Sequence, residues 1–226
     1  VENLLINFKI NINNELFLKD PSSSELGKKI IFQSVDMINE FGYESFTFRK
    51  LGQKIDSPEV SIYRYFENKG QLLAYLTSWY WGWMEYRLVF ETANIPSAVK
   101  RLEKAFGLII NKIEFKLVLN EIEIPKLLNI VISESSKSYL KKDVDKANRD
   151  GAFINYKRFV ERVVSIIHEI NPSYKYPNML LTTIIEGAHA QLFFAEHLPR
   201  LTNKKKDKDY LTKFYTELAM LAIKKK

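Results

Sequence analysis

The stretch GYESFTFRKLGQKIDSPEVSIYRYFENKGQLL, Gly42 to Leu73, decides the fold, because it sets out a short helix, a tight turn and a second short helix ending in aromatics. Such an outline is that of a helix-turn-helix. Upstream, the apolar stripe Leu26, Ile30, Ile31, Val35, Ile38 and Phe41 predicts a helix from about Ser22 to Phe41, with Ser22 and Glu25 spaced as a capping box. Gly42 supplies the left-handed residue that stops it. Thr47 is expected to N-cap a short helix whose buried face is Phe48, Leu51 and Ile55. Asp56 falls where the chain must turn, Ser57 can cap a third helix, and Pro58 suits its first turn. Ile62 and Phe66 face inward at i and i+4, leaving Glu59, Val60, Ser61, Tyr63, Arg64 and Tyr65 turned partly or wholly toward solvent.

These residues resemble the tetracycline-repressor (TetR) family of bacterial transcriptional regulators. That family's N-terminal pattern is a Gly-Tyr or Gly-Phe break, a Thr-capped helix, a turn, then Leu-Tyr-x-His-Phe with a Lys just beyond. Here those positions are Gly42-Tyr43, Thr47, Ile62-Tyr63-Arg64-Tyr65-Phe66 and Lys69, and the match runs from about residue 25 to 73. It departs at the turn, where Asp56-Ser57-Pro58 replaces Gly-Val-Ser, at Tyr65 in place of His, and at Val60-Ser61 in place of Gly-Thr. The operator sequence therefore does not carry over.

The resemblance implies that Thr47, Tyr63, Tyr65 and Lys69 hold the DNA backbone, while Val60, Ser61 and Arg64 lie nearest the major-groove bases. Lys69 opens the following helix, so its ammonium would add to that helix's positive end. The alternative for Tyr63 and Tyr65 is packing within the small domain with only the hydroxyls exposed. For Arg64 it is a surface ion pair with Glu67.

Charge gives this reading little help. The whole chain carries +7, yet residues 22–70 hold seven Lys or Arg and seven Asp or Glu. The excess sits from Arg200 to Lys226, in Lys204, Lys205, Lys206, Lys224, Lys225 and Lys226, runs of the kind found in solvated loops or tails. DNA binding thus rests on the motif, not on the net charge.

With 226 residues, 46% of them hydrophobic, the chain can build a second and larger core. Eight Gly and seven Pro, separated by long 3.6-period segments, predict an all-α chain: a three-helix helix-turn-helix domain and a larger helical ligand-binding and dimerisation domain. The expected boundaries are an N-terminal arm at 1–21, the helix-turn-helix at 22–68 and the regulatory and dimerisation region at 69–226. Having no Cys, the chain can form neither a disulfide nor a thiolate metal site, which is compatible with a reducing cytoplasm. No run approaches the roughly 18 apolar residues of a membrane span, and no signal peptide is visible, so the expectation is a cytoplasmic protein with no membrane partner.

In the arm, Ile6, Phe8, Ile10 and Ile12 alternate before Asn13-Asn14, which allows a short hairpin or an extended arm packed on the body. A long helix is expected from Lys69 to about Glu91, containing the aromatic run Trp79, Tyr80, Trp81, Trp83, Tyr86 and Phe90. Further helices are expected near 97–115, 125–137, 143–170, 178–198 and 207–224, with 116–124 either extended or a turn of helix.

In the TetR family the last two helices pair with their copies in a partner chain, which here implies a homodimer through 178–198 and 207–224. Both segments carry apolar residues over more than one face, Met179, Leu180, Ile184, Ala188, Leu192 and Ala195 in the first and Leu211, Phe214, Leu218 and Leu221 in the second. Ordinary packing within one chain would also use them. The resemblance further implies two recognition helices on a near-palindromic double-stranded operator and release by a small-molecule effector. Candidate ligand-lining residues are Trp83, Tyr86, Phe106, Phe153, Tyr156 and His189, most of which could simply be core.

Glu186 and His189 form a single Glu-x-x-His, but the second copy that a di-iron bundle needs is missing, so neither a metal nor another cofactor is expected. Three His, no Cys and no Gly-rich phosphate loop leave little from which to assemble an enzyme. The competing class is a divergent helical interaction module that acts through protein contacts without specific DNA binding, for which the zero net charge of the small domain is the best support.

Overall fold

A computed structural model describes residues 10–111, 118–119, 122–203 and 209–224. Its architecture is all-α, apart from a two-residue antiparallel pairing of β1 (Val118–Leu119) with β2 (Ile122–Glu123), so the ambiguous loop is extended where it is described. The helices are α1 (Glu25–Phe41), α2 (Phe48–Ile55), α3 (Glu59–Tyr63), α4 (Lys69–Thr92), α5 (Ala98–Ile110), α6 (Ile124–Glu134), α7 (Ser136–Tyr139), α8 (Val144–Arg149), α9 (Ile154–Ile170), α10 (Pro177–His197) and α11 (Tyr210–Ile223). Lys204, Lys205, Lys206, Lys225 and Lys226, and the alternating Ile6 and Phe8, lie outside the described residues.

Contacts divide the chain into two compact units, Val1–Gly82 with Ile113–Asn155 and Trp83–Lys112 with Tyr156–Lys226. That division differs from the boundary expected after residue 68. The first half of α4 and helices α6 to α8 go with the helix-turn-helix, because α6 lies against α1. Lys126 pairs there with Asp36, and Asn129 donates to Asn39 at 3.1 Å.

In the first unit, α1 starts later than expected. Ser24, not Ser22, is its N-cap and accepts from the Gly27 amide; residues Pro21–Ser23 form a 3-10 turn capped by Asp20. The helix stops at Gly42, whose φ of 79° and ψ of 156° lie in a region essentially closed to other residues rather than in the left-handed helical one. Of its apolar stripe, Ile30, Ile31, Val35 and Ile38 are buried, whereas Phe41 is exposed. The arm is not a hairpin where it is described. Asn13 caps a 3-10 turn at Asn14–Leu16, with Ile10, Ile12 and Leu16 buried against the unit.

The single helix expected over 143–170 is broken into α8 and α9 at Gly151, where φ is 79° and a Cβ would lie 2.0 Å from the Asn13 side-chain nitrogen. From that break Asn155 is aimed into the first unit, donating to the carbonyl oxygens of Asn11 at 3.1 Å and Ser78 at 3.0 Å. Within α4, Leu72, Leu73, Tyr75, Leu76, Trp79, Tyr80 and Trp81 are all buried, which explains why its sequence shows no single apolar face.

The second unit is built on α5, α10 and α11, which pack on one another, together with α9. Leu102, Phe106, Phe159, Val163, Ile167, Leu181, Ile184, Ala188 and Ala219 form its core. Asn171 secures the end of α11 by donating to the Ile223 carbonyl at 2.7 Å. Among the described residues no helix is long and apolar enough to cross a membrane.

Candidate nucleic-acid interface

Helix α2 begins where Thr47 accepts a hydrogen bond from the Lys50 amide at 3.2 Å, so the side chain expected to touch a phosphate is fixed at the helix entrance. It remains exposed. Asp56 ends α2 in the left-handed conformation, φ 53° and ψ 52°, which Asp tolerates better than most residues. Ser57 does not cap the next helix: its amide donates to the Gly52 carbonyl at 2.9 Å. Pro58 is the N-cap residue of α3 instead, with no side-chain cap. Proline has no N–H to leave unpaired, so this entrance is tolerated.

On α3, Ile62 is fully buried and Phe66, just beyond the helix, seals the same core. Val60 is 68% exposed, Arg64 is exposed and Ser61 is half-buried. The Arg64 guanidinium makes no ion pair with Glu67, and Glu67 instead uses its amide to bond Gln71 at 2.8 Å. Tyr63 keeps 45% of its surface, packs its ring edge-on against Phe48 with centroids 5.2 Å apart, and donates its hydroxyl to Glu59 at 3.3 Å. Val60, Ser61, Tyr63 and Arg64 thus share one accessible stretch behind the Thr47 cap, on a base of Phe48, Leu51, Ile55, Ile62 and Phe66.

Two expected contact residues are placed otherwise. Tyr65 is only 3% exposed: its hydroxyl bonds Ser24 Oγ at 2.8 Å, its carbonyl accepts from the Leu18 amide at 2.8 Å, and Lys19 lies over its ring. The expectation that it faces solvent is therefore corrected, since the Phe66 anchor turns the chain at the end of α3 and carries Tyr65 inward. Lys69 does open α4, but its ammonium is directed at the carbonyl oxygens of Tyr43, Glu44 and Phe46, at 3.1, 3.3 and 3.5 Å. It also stands 4.5 Å from the centre of the Tyr43 ring.

Lys137 and Glu134 also reach this region, and sequence reasoning missed them. Lys137 bonds Glu44 at 2.8 Å and forms an ion pair with Glu134 at 2.7 Å. The i,i+3 relation of Glu134 and Lys137 was visible in the sequence, but a partner 93 residues away was not.

Of the candidate ligand residues, Phe153 lies in the first unit and the other five in the second. Trp83, Phe106 and His189 are buried, while Phe153, Tyr86 and Tyr156 are half-buried. Burial pushes the His189 imidazole down to about 4, so it is neutral near pH 7. Among the described residues no cluster of three or more His, Asp or Glu is placed to hold a metal ion.

Residues 30–76 match the family model of the bacterial regulatory proteins of the tetR family. No curated protein sequence matches the chain. Among solved structures, the chain is similar to the fatty acid degradation regulator FadR from Bacillus halodurans, with a TM-score of 0.59 and 16% identity over 85% of this chain and 96% of that one. It is also similar to AibR in complex with isovaleryl coenzyme A and operator DNA, at 0.52 and 16% identity over 84% and 97% of the two chains. A third similar structure is the superantigen PfiT, at 0.55 and 13% identity over 90% and 97%. At such identities these likenesses establish the all-helical fold. The likeness to the tetR family in sequence is confined to residues 30–76, which include α2 and α3.

Proposed function

We propose that this chain, whose residues 30–76 are a tetR-family DNA-binding domain, is a homodimeric transcriptional repressor that a small molecule releases from a near-palindromic operator. The observation that carries this reading is the accessible stretch of Val60, Ser61 and Tyr63 on α3 with Arg64 at its end, which follows the helix that Thr47 caps. The fold alone does not carry it, since the superantigen PfiT is similar over most of its length.

In this reading Thr47 and Tyr63 bond phosphates and set the register, while Val60, Ser61 and Arg64 meet base edges. An arginine there favours guanine, and an exposed valine favours a thymine methyl group. Tyr65 and Lys69 act from behind, holding the elements that carry the contacts. The exposed apolar residues Met179 on α10 and Phe214, Leu218 and Leu221 on α11 support pairing of these helices with those of a second copy. Two copies would present two recognition helices to half-sites one or more helical turns apart. The effector would bind in the second unit near Trp83, Tyr86, Phe106, Tyr156 and His189, of which all but Tyr86 and Tyr156 are buried. An acyl coenzyme A thioester is the first ligand class to test, because AibR binds one. A protein with this role works in the cytoplasm and needs no catalytic centre.

The test is selection of bound sequences from a random duplex library by the purified chain, beside Tyr63→Ala and Arg64→Ala variants. A two-fold symmetric site, lost with Tyr63→Ala and relaxed at one position with Arg64→Ala, is the expected result. Absence of any enriched sequence at low salt, with and without acyl thioesters, would refute the reading in favour of an interaction module.

A further inference from the structure

The loop ahead of Thr47 is held from two sides by lysines from distant parts of the chain. On one side the Lys69 ammonium faces three successive acceptors, the carbonyl oxygens of Tyr43, Glu44 and Phe46 at 3.1, 3.3 and 3.5 Å. On the other, Lys137 at the start of α7 bonds the Glu44 carboxylate at 2.8 Å and stands 5.5 Å from the centre of the Tyr43 ring, whose other cationic neighbour is Lys69 at 4.5 Å. Glu134 completes the arrangement, pairing with Lys137 at 2.7 Å and accepting weakly from the Tyr43 amide at 3.5 Å. All of these groups lie in the first unit.

We infer that Lys69 and Lys137 are positioning residues that clamp the loop from Tyr43 to Phe46, and that Lys69 serves DNA binding through this loop rather than as a phosphate ligand. The inference rests on the DNA-binding reading for its consequence, but the clamp itself does not. An ammonium has three donors and no acceptor, and three carbonyl oxygens are placed to receive them, that of Phe46 at the limit of hydrogen-bonding distance. A phosphate drawn to this ammonium would compete with those carbonyls and so loosen the loop that carries Thr47. Because Thr47 caps α2, a loop that drifts moves the phosphate contact and the entrance of the helix together.

The titration behaviour agrees with the geometry. Lys137 is held charged above the usual lysine range, first by its hydrogen bond to Glu134 and then by that to Glu44. Burial, reinforced by the charge of Glu44, raises the Tyr43 phenol, which stays protonated between the two cations. The exposed Lys137–Glu44 pair taken singly contributes little, so the effect depends on the shared geometry of the four side chains.

The experiment compares the 226-residue chain with Lys69→Met, Lys137→Met, Lys69→Arg and Lys137→Arg. Affinity for the selected duplex is followed by fluorescence anisotropy as a function of salt, and amide exchange of residues 43–50 is measured without DNA. Lys137→Met should weaken binding about two- to tenfold. Lys69→Met should weaken it at least as much, and in both the slope of log K against log salt should match the wild type. Lys137→Arg should restore affinity, and exchange at 43–50 should quicken in both Met variants while the thermal transition remains. A Lys69→Met slope shallower by about 0.9 would make Lys69 a phosphate ligand and overturn the proposal. So would unchanged exchange and affinity in Lys137→Met. If the wild type binds no duplex, the DNA reading fails separately, and the exchange data still decide whether the clamp exists.

Discussion

Substituting Gly52 by Ala sets two known effects against each other at the joint between the two helices of the motif. Within α2, replacing an interior glycine by alanine favours the helix by about 1 kcal/mol. An alanine Cβ, however, would stand 2.7 Å from the Ser57 carbonyl oxygen and 3.3 Å from the Glu59 nitrogen, both backbone atoms of the turn into α3. Restoring ordinary contact requires the turn to retreat by about 0.7 Å, and such overpacking costs about 1–3 kcal/mol. The same turn holds the 2.9 Å bond from the Ser57 amide to the Gly52 carbonyl, so the retreat also stretches a hydrogen bond. The net expectation is a destabilisation of about 0–2 kcal/mol. DNA affinity should fall by about tenfold or more, because α3 moves as a body relative to Thr47. Urea unfolding followed by circular dichroism gives the first quantity, and anisotropy with the selected operator gives the second. A variant stabilised by the full helix-propensity gain, with operator affinity intact, would show that the turn yields freely and that the spacing of α2 and α3 is not fixed by this contact.

Other outcomes follow from single sites. Ser34 is completely buried on α1 and its hydroxyl has no partner among the described residues, so Ser34→Ala should stabilise the protein by about 1–2 kcal/mol in urea melts. A loss of stability would mean that the hydroxyl is satisfied in solution. His189 titrates near 4 when folded against about 6.5 when unfolded, so the unfolded chain takes up the proton first. Its contribution is complete above about pH 6.5 and is lost as the pH falls toward 4, by an amount on the order of 3 kcal/mol. His189→Leu should flatten this part of the stability profile relative to wild type, and identical pH slopes would contradict the burial argument. The double variant Phe214→Glu with Leu221→Glu places charges on exposed apolar positions of α11 and should give a folded monomer in sedimentation velocity. A dimer that survives both charges would move the pairing surface elsewhere.

Much of the first unit was legible because its signals are local. Thr47 as a cap, Asp56 as the turn, and Ile62 with Phe66 as anchors each follow from residue type and spacing over four or five positions, and each is found where those rules place it. What was not legible depends on distant chain. Tyr65 lies on the exposed side of the pattern in sequence, yet Ser24 and Leu18 receive it, 41 and 47 positions upstream, and no periodicity in α3 reports them. Lys69 has the position of a phosphate ligand, but the carbonyls it meets belong to a loop whose course the sequence does not specify. The break at Gly151 was hidden for a different reason, since a lone glycine in a helical pattern is tolerated. Only the side chain of Asn13 pressing against it shows why the helix ends there.

The zero net charge of the small domain, which favours an interaction module on composition alone, takes a different meaning once the side chains are placed. Nonspecific attraction to DNA scales with the number of phosphates neutralised. With Lys69 turned to carbonyls, Lys50 Nζ bonded to the Ser45 carbonyl at 2.8 Å and Lys29 to that of Ile55 at 2.8 Å, much of the domain's positive charge is already engaged in holding backbone. Thr47 and Tyr63 are neutral groups, so their phosphate contacts displace few counterions. Arg64, the residue that caps the end of α3, is the one cation between Glu59 and Phe66. On the proposed function, a domain made this way is expected to bind weakly to arbitrary sequence and to depend on geometry for its affinity. On the proposed function, that makes the inferred clamp on the Thr47 loop, the turn at Gly52 and any pairing of two copies more consequential than in a strongly basic domain. The corresponding signature is a shallow salt dependence combined with a large ratio of specific to nonspecific affinity, and a steep salt slope on random duplex would contradict it.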